Sequence, residues 1–377
     1  MITINGIAQE IVDSLVERTN SLSQGRNAGC IGFVNPDGQI DQACELVDGG
    51  ISGLPLRQLL DKIIEMEGLS VVEGMAHLPA NAVIVTTRPG HTGLITDVSG
   101  VDFFNLPVVS IGVKHGHMAG SGVVYPEAEL FDLATQAEMV DIRSLAANSM
   151  EEEKEVLRSG MELTKSYLEI SQDLTVMKVP AKTFQQRNSE TMYQIPKLQV
   201  QSISQELAEE LVQRSMEVGQ GREVATLAVI RDGHVEPRGK IVAGGMGYVP
   251  SRLLASSGVD ISGKSLRQLY TEEIPQDAVI VHTHPGGTGV MHIGDANAGP
   301  GTWGRPIIAI GHDKDGEVKG ATVIEASERL HALADEDEEL GQQFFDADTP
   351  EQETEIRNRK FGIAQEYTDL CKPIEIR

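Results

Sequence analysis

Residues 79–93 read PANAVIVTTRPGHTG, and residues 275–289 read PQDAVIVHTHPGGTG. In each stretch a run of apolar, mostly β-branched residues ends at a proline followed by a glycine, which is the pattern of a buried strand that stops at a turn. The two stretches lie 275 − 79 = 196 residues apart. The same strand therefore occurs twice, and a repeat at this spacing indicates a duplicated domain.

The repeat extends over most of the chain. The matched segments are IAQEIVDSLVER at 7–18 with ISQELAEELVQR at 203–214, and EVLRSGMELTKSYLEI at 155–170 with EIRNRKFGIAQEYTDL at 355–370. ISGLPLRQLL from Ile51 pairs with ISGKSLRQLY from Ile261 at an offset of 261 − 51 = 210. This larger offset predicts that the second copy gains 210 − 196 = 14 residues ahead of that helix.

The repeat predicts two copies of one domain, residues 1–173 and residues 201–377, each with a helical tail. Residues 174–200 are expected to be a linker, because this segment is polar, contains Pro180 and Pro196, and shows no sustained period. Two copies are too few for a solenoid, so they are interpreted as tandem domains. Packing of the copies as an internal pseudo-dimer is a hypothesis.

The amino-acid composition argues against some classes of binding partner. The 377 residues include 31 Lys and Arg against 56 Asp and Glu, a formal net charge of −25. A chain this acidic, with no run of basic residues, is not expected to bind nucleic acid or an anionic membrane. Three scattered cysteines, an N-terminus without a signal-peptide pattern, and no long apolar run predict a cytoplasmic protein.

Within the second copy, periodicity predicts a helix at 204–218 capped by Ser204, and short apolar runs predict buried strands at 224–230, 277–284 and 305–311. Asp232 and Gly233 mark a hairpin turn. Helices are expected at 326–344 and 350–370, and the DEDEE run at 335–339 is interpreted as a solvated helix face. The mixed order of helices and buried strands predicts an α/β layered fold.

The candidate site lies at the end of the strand at 277–284. His282 and His284 are two residues apart, so both imidazoles face the same side of the strand, and Asp295 follows eleven residues after His284. Two imidazoles and one carboxylate form a catalytic zinc set that leaves a fourth position for water. This pattern predicts hydrolytic chemistry, for which a nearby carboxylate serves as proton acceptor.

These residues resemble the JAMM (MPN+) metalloprotease family, whose signature is an upstream Glu, His-x-His-Pro, six or seven residues, a Ser, two residues and an Asp. The resemblance implies tandem MPN-type (deaminase-like) α/β domains, with Zn²⁺ held by His282, His284 and Asp295, and with Glu223 as the general base. His292 stands where the family has Ser. It is assigned as a hydrogen-bond donor to the site, with a fourth metal ligand and a solvent-facing side chain as alternatives.

The first copy has lost every residue of this set. At the positions of Glu223, His282, His284, His292 and Asp295 it has Asn27, Thr86, Arg88, Thr96 and Ser99. The first copy is therefore expected to be metal-free and inactive, with Arg88 placing a cation where the metal would bind. The alternative is that these second-copy side chains only pack in the core or face solvent. It does not explain why that copy alone keeps all of them.

Other polar residues offer alternatives to members of this set or share their residue types. Glu236 and Asp232 are alternatives to Glu223 as the base. His91, His115 and His117 are interpreted as residues of solvated loops, and Trp303 as a core residue with a substrate wall as the alternative.

The expected function is zinc-dependent hydrolysis of a peptide or isopeptide amide bond. The resemblance implies a protein substrate, a ubiquitin-like conjugate, with the first copy as an inactive partner domain. The alternatives are a non-catalytic tandem MPN scaffold and a metal-dependent hydrolase of a small-molecule amide.

Overall fold

The computed structural model of the chain describes residues 3–22, 24–51, 53–93, 99–185, 187, 193–291 and 293–377, apart from the side chains of Ser99 and Ile293. It shows a mixed α/β fold with two curled sheets and flanking helices, which confirms the predicted α/β class.

The first sheet and its helices are formed by residues before 184. The strands are β1 Gly6–Ala8, β2 Ala28–Val34, β3 Gln39–Ala43, β4 Val47–Asp48, β5 Ala82–Pro89, β6 Val108–Lys114, β7 His117–Val124, β8 Gln172–Asp173, β9 Val176–Met177 and β10 Lys182–Thr183. The helices are α1 Gln9–Ser21, α2 Leu56–Asp61, α3 Val71–Ala76, α4 Ser99–Phe104, α5 Ala128–Ala146 and α6 Met150–Ile170.

The second sheet and its helices are formed by residues after 201. The strands are β11 Ser202–Ile203, β12 Val224–Arg231, β13 His234–Glu236, β14 Val242–Ala243, β15 Ala278–Pro285, β16 Ile307–His312, β17 Val318–Ile324, β18 Lys372–Pro373 and β19 Glu375–Ile376. The helices are α7 Gln205–Val218, α8 Ser251–Ala255, α9 Leu266–Gln268, α10 Ile293–Ala296, α11 Glu328–Phe345 and α12 Pro350–Leu370. The π-helical segments Leu269–Glu273 and Asn297–Trp303 continue α9 and α10.

The two sheets have the same strand order. The first runs β8-β7-β6-β5-β2-β3-β1-β9 and the second β18-β17-β16-β15-β12-β13-β11-β19. In each, one central pair is parallel (β5 with β6, β15 with β16), and the neighbouring β2 or β12 runs antiparallel to it. The repeat seen in the sequence is therefore a repeat of topology.

Local signals account for several element boundaries in the second half. The Ser204 side chain accepts a hydrogen bond from the backbone N–H of Leu207 and so caps α7, as its sequence predicts. Asp232 and Gly233 both have positive φ, at 51° and 81°, and form the tight turn between β12 and β13. The predicted strands at 224–230 and 277–284 are likewise present as β12 and β15.

The predicted insertion of 14 residues in the second copy is wrong. α2 follows Pro55 and α8 follows Pro250, an offset of 250 − 55 = 195. The next helices, α3 and α9, each begin at a capping box. Its N-cap residue is Ser70 in α3 and Ser265 in α9, again 265 − 70 = 195 residues apart. The match between ISGLPLRQLL and ISGKSLRQLY therefore pairs α2 with α9, two helices that share a Leu-Arg-Gln-Leu pattern but not a place in the fold.

The segment at 174–200, predicted to be a linker, also adds strands to the first sheet. Val176 pairs with Ile7 of β1, and Lys182 pairs with Gln42 of β3, both in parallel. Farther along, the backbone N–H of Ile195 donates to the carboxylate of Glu73 at 2.7 Å. The described parts of this segment are therefore bound to the first half and do not hang free between the copies.

Helices from each half cap helices of the other. The two carboxylate oxygens of Glu138 on α5 accept the backbone N–H groups of Arg252 and Leu253 at the start of α8, at 3.1 and 2.9 Å. In the same way, Glu338 on α11 accepts the N–H groups of Arg57 and Gln58 at the start of α2, both at 3.0 Å. This reciprocal capping gives the contacts between halves an approximate two-fold symmetry.

Buried arginines reinforce both caps. The Arg252 guanidinium donates to Asp102 of the first half at 2.6 Å, and both side chains are nearly inaccessible. Arg57 donates to Asp335 of the second half at 2.5 Å. The interpretation of the DEDEE run as a solvated face is therefore wrong for Asp335 and Glu338, since both bind α2. One hydrophobic cluster contains residues of both halves, so the copies share a core.

No helix within the described ranges is long and apolar enough to cross a membrane. Cys30, Cys44 and Cys371 are free thiols.

Candidate metal centre

β15 carries the two predicted histidines in the middle of the second sheet. His282 lies opposite Ala225 of β12, and the strand pairs on its other side with β16. Because side chains alternate along a strand, His282 and His284 face one side and Thr283 the other. Asp295 lies on α10, which returns over the histidine face after the turn that follows Pro285.

The three predicted ligands converge. Nε2 of His282 lies 2.9 Å from Nε2 of His284. The Asp295 carboxylate oxygens lie 3.2 Å from the His282 nitrogen and 3.4 Å from the His284 nitrogen. Among the described residues, this is the group of His, Cys, Asp and Glu side chains whose ligand atoms gather closely enough, within 4.8 Å, to hold a metal ion.

The spacing fits tetrahedral coordination. Ligand bonds of about 2.0–2.1 Å to a tetrahedral ion place neighbouring ligand atoms about 3.3 Å apart. The observed separations of 2.9, 3.2 and 3.4 Å lie around that value. The His282, His284 and Asp295 side chains thus form a group that can bind a metal ion.

Hydrogen bonding sets the tautomer of one ligand. Nδ1 of His284 lies 3.1 Å from the carbonyl oxygen of Val290, and a carbonyl only accepts, so Nδ1 carries the proton and Nε2 presents its lone pair to the site. Nδ1 of His282 is buried without a hydrogen bond of standard geometry among the described residues. The backbone of Ile308 is close enough to favour a proton on this ring.

The charges of the site act on one another. Burial lowers the pKa of His282, but the hydrogen bond and charge of Asp295, together with the charge of Glu223, outweigh it, so the pKa is raised. Burial raises the pKa of Glu223, with His282 and His284 opposing the shift and Asp295 adding to it. Glu223 therefore interacts electrostatically with all three predicted metal ligands.

Glu223 occupies the predicted position of the base. It directly precedes β12 and is 7% exposed. Its neighbour Val224 donates its backbone N–H to the Thr283 hydroxyl at 3.1 Å, which fixes the start of β12 against the strand of the histidines. The alternatives lie toward the far end of β12: Glu236 pairs with Val229, roughly 20 Å along the strand from Glu223, and Asp232 follows Arg231, roughly 30 Å away. Neither of them is beside the ligands.

His292, the predicted hydrogen-bond donor, lies outside the described residues, so its assignment stays a prediction. Trp303 is 4% exposed and stacks on Tyr270 with ring centroids 3.8 Å apart, which confirms the interpretation as a core residue. His115 has a positive φ in the exposed turn between β6 and β7, as expected of a solvated loop.

The first copy keeps the scaffold of this site without its ligands. Thr86 and Arg88 of β5 stand in the sheet where His282 and His284 stand in β15. Thr87 matches Thr283, and its hydroxyl accepts the backbone N–H of Ala28 at 2.9 Å. Of the other replacements, Thr96 and the Ser99 side chain lie outside the described residues.

Thr283 is the site residue that sequence reasoning missed. The signal that would have found it is its recurrence as Thr87, because a hydroxyl kept in both copies at a buried strand position needs a structural reason.

The chain matches no family model, no curated protein and no solved structure.

Proposed function

We propose that the protein is a zinc-dependent hydrolase that cleaves a peptide or isopeptide amide bond, a JAMM-type enzyme with a tandem MPN fold. The observation that carries the proposal is the convergence of His282 Nε2, His284 Nε2 and the Asp295 carboxylate, with Glu223 interacting with all three. Two neutral imidazoles and one carboxylate are the donor set of many hydrolytic zinc sites.

The site side chains have two roles, metal binding and proton transfer. His282, His284 and Asp295 hold the zinc ion, which when bound supplies a Lewis acid for the scissile carbonyl and lowers the pKa of water. A carboxylate oxygen of Glu223 would take a proton from the attacking water and deliver it to the nitrogen of the leaving amine, whose bond to the carbonyl carbon breaks. The buried setting of Glu223 raises its pKa, which strengthens it as a proton acceptor.

The proposed substrate class is a protein conjugate in which a ubiquitin-like protein is joined to a lysine. The acidic surface favours this class, because a net charge of −25 attracts a basic target around the scissile bond. The first copy serves as the inactive partner of the second, held by the reciprocal caps at Glu138 and Glu338. The site of action is the cytoplasm.

The experiment compares hydrolysis of a lysine-linked ubiquitin dimer by the zinc-loaded wild type, by Glu223→Gln and by Glu236→Gln. Loss of the base is expected to lower kcat about 10²–10⁴-fold with zinc retained. Glu236→Gln removes a carboxylate far from the ligands and should leave kcat unchanged. Equal rates for wild type and Glu223→Gln would contradict the mechanism. No hydrolysis by the zinc-loaded wild type would favour the scaffold alternative over this substrate.

A further inference from the structure

A cavity of about 800 Å³ opens in the first copy at the place of the second copy's metal site. Its lining includes Asn27 and Thr86, which stand at the positions of Glu223 and His282. We call it the first-copy pocket. A volume of this size lies in the range of small-molecule sites, which is about 300–1,000 Å³.

Apolar side chains form much of the wall. They include Leu54, Leu56, Leu59, Phe103 and Phe104. Small-molecule sites combine such walls with a few polar groups that fix the orientation of the ligand. The polar groups of this wall therefore decide which ligand the pocket suits.

One polar group of the wall is a buried carboxylate with an unused oxygen. Asp102 lines the pocket and is 2% exposed. Its Oδ1 accepts hydrogen bonds from the Arg252 guanidinium, at 2.6 Å, and from the backbone N–H of Leu266, at 3.0 Å. Its Oδ2 accepts no hydrogen bond from the part of the chain that the structure describes. A buried carboxylate oxygen needs a donor, and a ligand in the pocket can supply one.

The charges around Asp102 favour a cationic donor. Glu138 is the second buried carboxylate of the wall, and its oxygens accept backbone N–H groups of Arg252 and Leu253. The charge of one guanidinium, that of Arg252, acts on both carboxylates. Burial outweighs this cation and raises the pKa of Asp102 to about 6 and the pKa of Glu138 to about 7. An ammonium group beside Asp102 would offset the excess negative charge.

The rest of the lining does not reverse this balance. Its described residues include three carboxylates, those of Asp102, Glu138 and Asp141, and two guanidiniums, those of Arg88 and Arg252. With its histidine neutral, the described lining therefore has a formal charge of −1. Arg88 already interacts with another group, so it is not assigned a role in ligand binding.

We propose that the first-copy pocket binds an apolar primary amine in its protonated form. The ammonium group donates to Oδ2 of Asp102, and the apolar body packs against Phe103, Phe104 and the leucines. Asn27 and Thr86 replace the base and a metal ligand of the second copy, so the amine is bound without being transformed. This inference does not rest on the proposed hydrolase activity.

The test is isothermal titration of the full chain with 4-phenylbutylammonium, and with 4-phenylbutanol as an uncharged probe of similar shape. Both titrations are made in about 0.15 M salt, where a Debye length of about 8 Å limits attraction of the cation to the acidic surface. The wild type should bind one ammonium ion per chain. The alcohol should bind about tenfold more weakly, because it lacks the charge-assisted hydrogen bond to Asp102.

The first variant removes the charge of Asp102 and keeps its bonds. In Asp102→Asn the amide oxygen can keep the two hydrogen bonds of Oδ1, while the amide nitrogen replaces the oxygen that accepts none. Ammonium binding should weaken about tenfold, and binding of the alcohol should not change. The control is Asp37→Asn, which removes the same charge from the exposed turn between β2 and β3 and should bind both probes like the wild type.

A second variant fills the pocket without changing its charge. Gly100 lines the pocket, and a Cβ there would meet a Val108 methyl group at 3.6 Å, an ordinary contact. Gly100→Leu should therefore fold and should abolish binding of both probes. Thermal unfolding checks that each variant is folded. The proposal is overturned if the wild type shows no saturable binding of the ammonium ion, or if folded Asp102→Asn or Gly100→Leu binds it as tightly as the wild type.

Discussion

Asn27 and Glu223 hold the same backbone position in the two copies. The N–H of Asn27 donates to the carbonyl of Gly50 at 3.0 Å and its carbonyl accepts from Gly49 at 2.8 Å, while Glu223 makes the matching pair of bonds with Gly245 and Gly244, both at 2.8 Å. The fold therefore presents one position twice and gives it two side chains. With its side-chain amide nitrogen turned toward the two carbonyl oxygens, Asn27 donates to Gly50 and Gly53.

Exchanging the two side chains should have unequal effects. Glu223→Asn removes the base and should abolish hydrolysis while zinc stays bound, because the three ligands are untouched. Asn27→Glu should give no second activity, since Thr86 and Arg88 are not metal ligands. It should also destabilise the fold by about 1–3 kcal/mol, because a carboxylate would face two carbonyl oxygens in a buried setting.

Urea unfolding and zinc analysis of both variants check this prediction. Zinc lost from Glu223→Asn, or stability unchanged in Asn27→Glu, would contradict the assigned roles.

Breaking the buried pair between the halves, Asp102 with Arg252, should strongly destabilise the fold. Asp102→Ala leaves the Arg252 guanidinium buried without its carboxylate, which is expected to lower the free energy of unfolding by about 3–5 kcal/mol. The control is Asp48→Ala, which removes the partner of the half-exposed Arg18 and should cost less than about 1 kcal/mol. Equal effects of the two changes in urea unfolding would show that the pair does not hold the halves together.

His331 should make the fold sensitive to acid. It is 1% exposed on α11, and burial, with the charges of Arg57 and Lys197 adding to it, lowers its pKa to about 3. Because the folded pKa lies below the unfolded value of 6.5, the unfolded chain binds more protons between pH 6.5 and about 3, and stability falls as the pH falls through that window.

His331→Leu should flatten this acid limb of the unfolding free energy, measured in urea at several pH values. The first copy has Phe131 at the matching place, so an apolar side chain suits the helix. Burial raises the pKa of the nearby Glu338, which works in the opposite direction, and comparison with wild type isolates the histidine. An unchanged slope in the variant would contradict the assignment.

The acidic surface should speed the capture of a basic substrate. For a conjugate with Lys and Arg around the scissile bond, kcat/KM is expected to fall as ionic strength rises from about 0.01 M to 0.15 M, over which the Debye length shrinks from about 30 to 8 Å. kcat should stay constant, because the buried site is screened little. A kcat/KM independent of salt would leave the charge of −25 as a matter of solubility alone.

Local patterns predicted much of this structure. Continuous runs of apolar, β-branched residues predicted β12 and β15, and a two-residue spacing put His282 and His284 on one face. What failed depended on contacts distant in sequence. The acids Asp335 and Glu338 look solvated on an isolated helix, and only packing of α11 against α2 shows that they cap and pair.

The pairing of α2 with α9 failed for a related reason. A short amphipathic helix has few residue types available, so Leu-Arg-Gln-Leu recurred at two places that are not equivalent. The capping residues Ser70 and Ser265 were the better guide, because a cap is tied to one boundary of the fold.

The central claim is that His282, His284 and Asp295 bind zinc, and the most direct measurement is a zinc titration of the chelated chain. The wild type should bind one zinc ion per chain, with a rise in the midpoint of thermal unfolding. His284→Gln should bind far more weakly, whereas His117→Gln, which changes an exposed histidine at the start of β7 in the first copy, should behave like the wild type. A wild type that binds no zinc, or a His284→Gln variant that binds it equally well, would contradict the account.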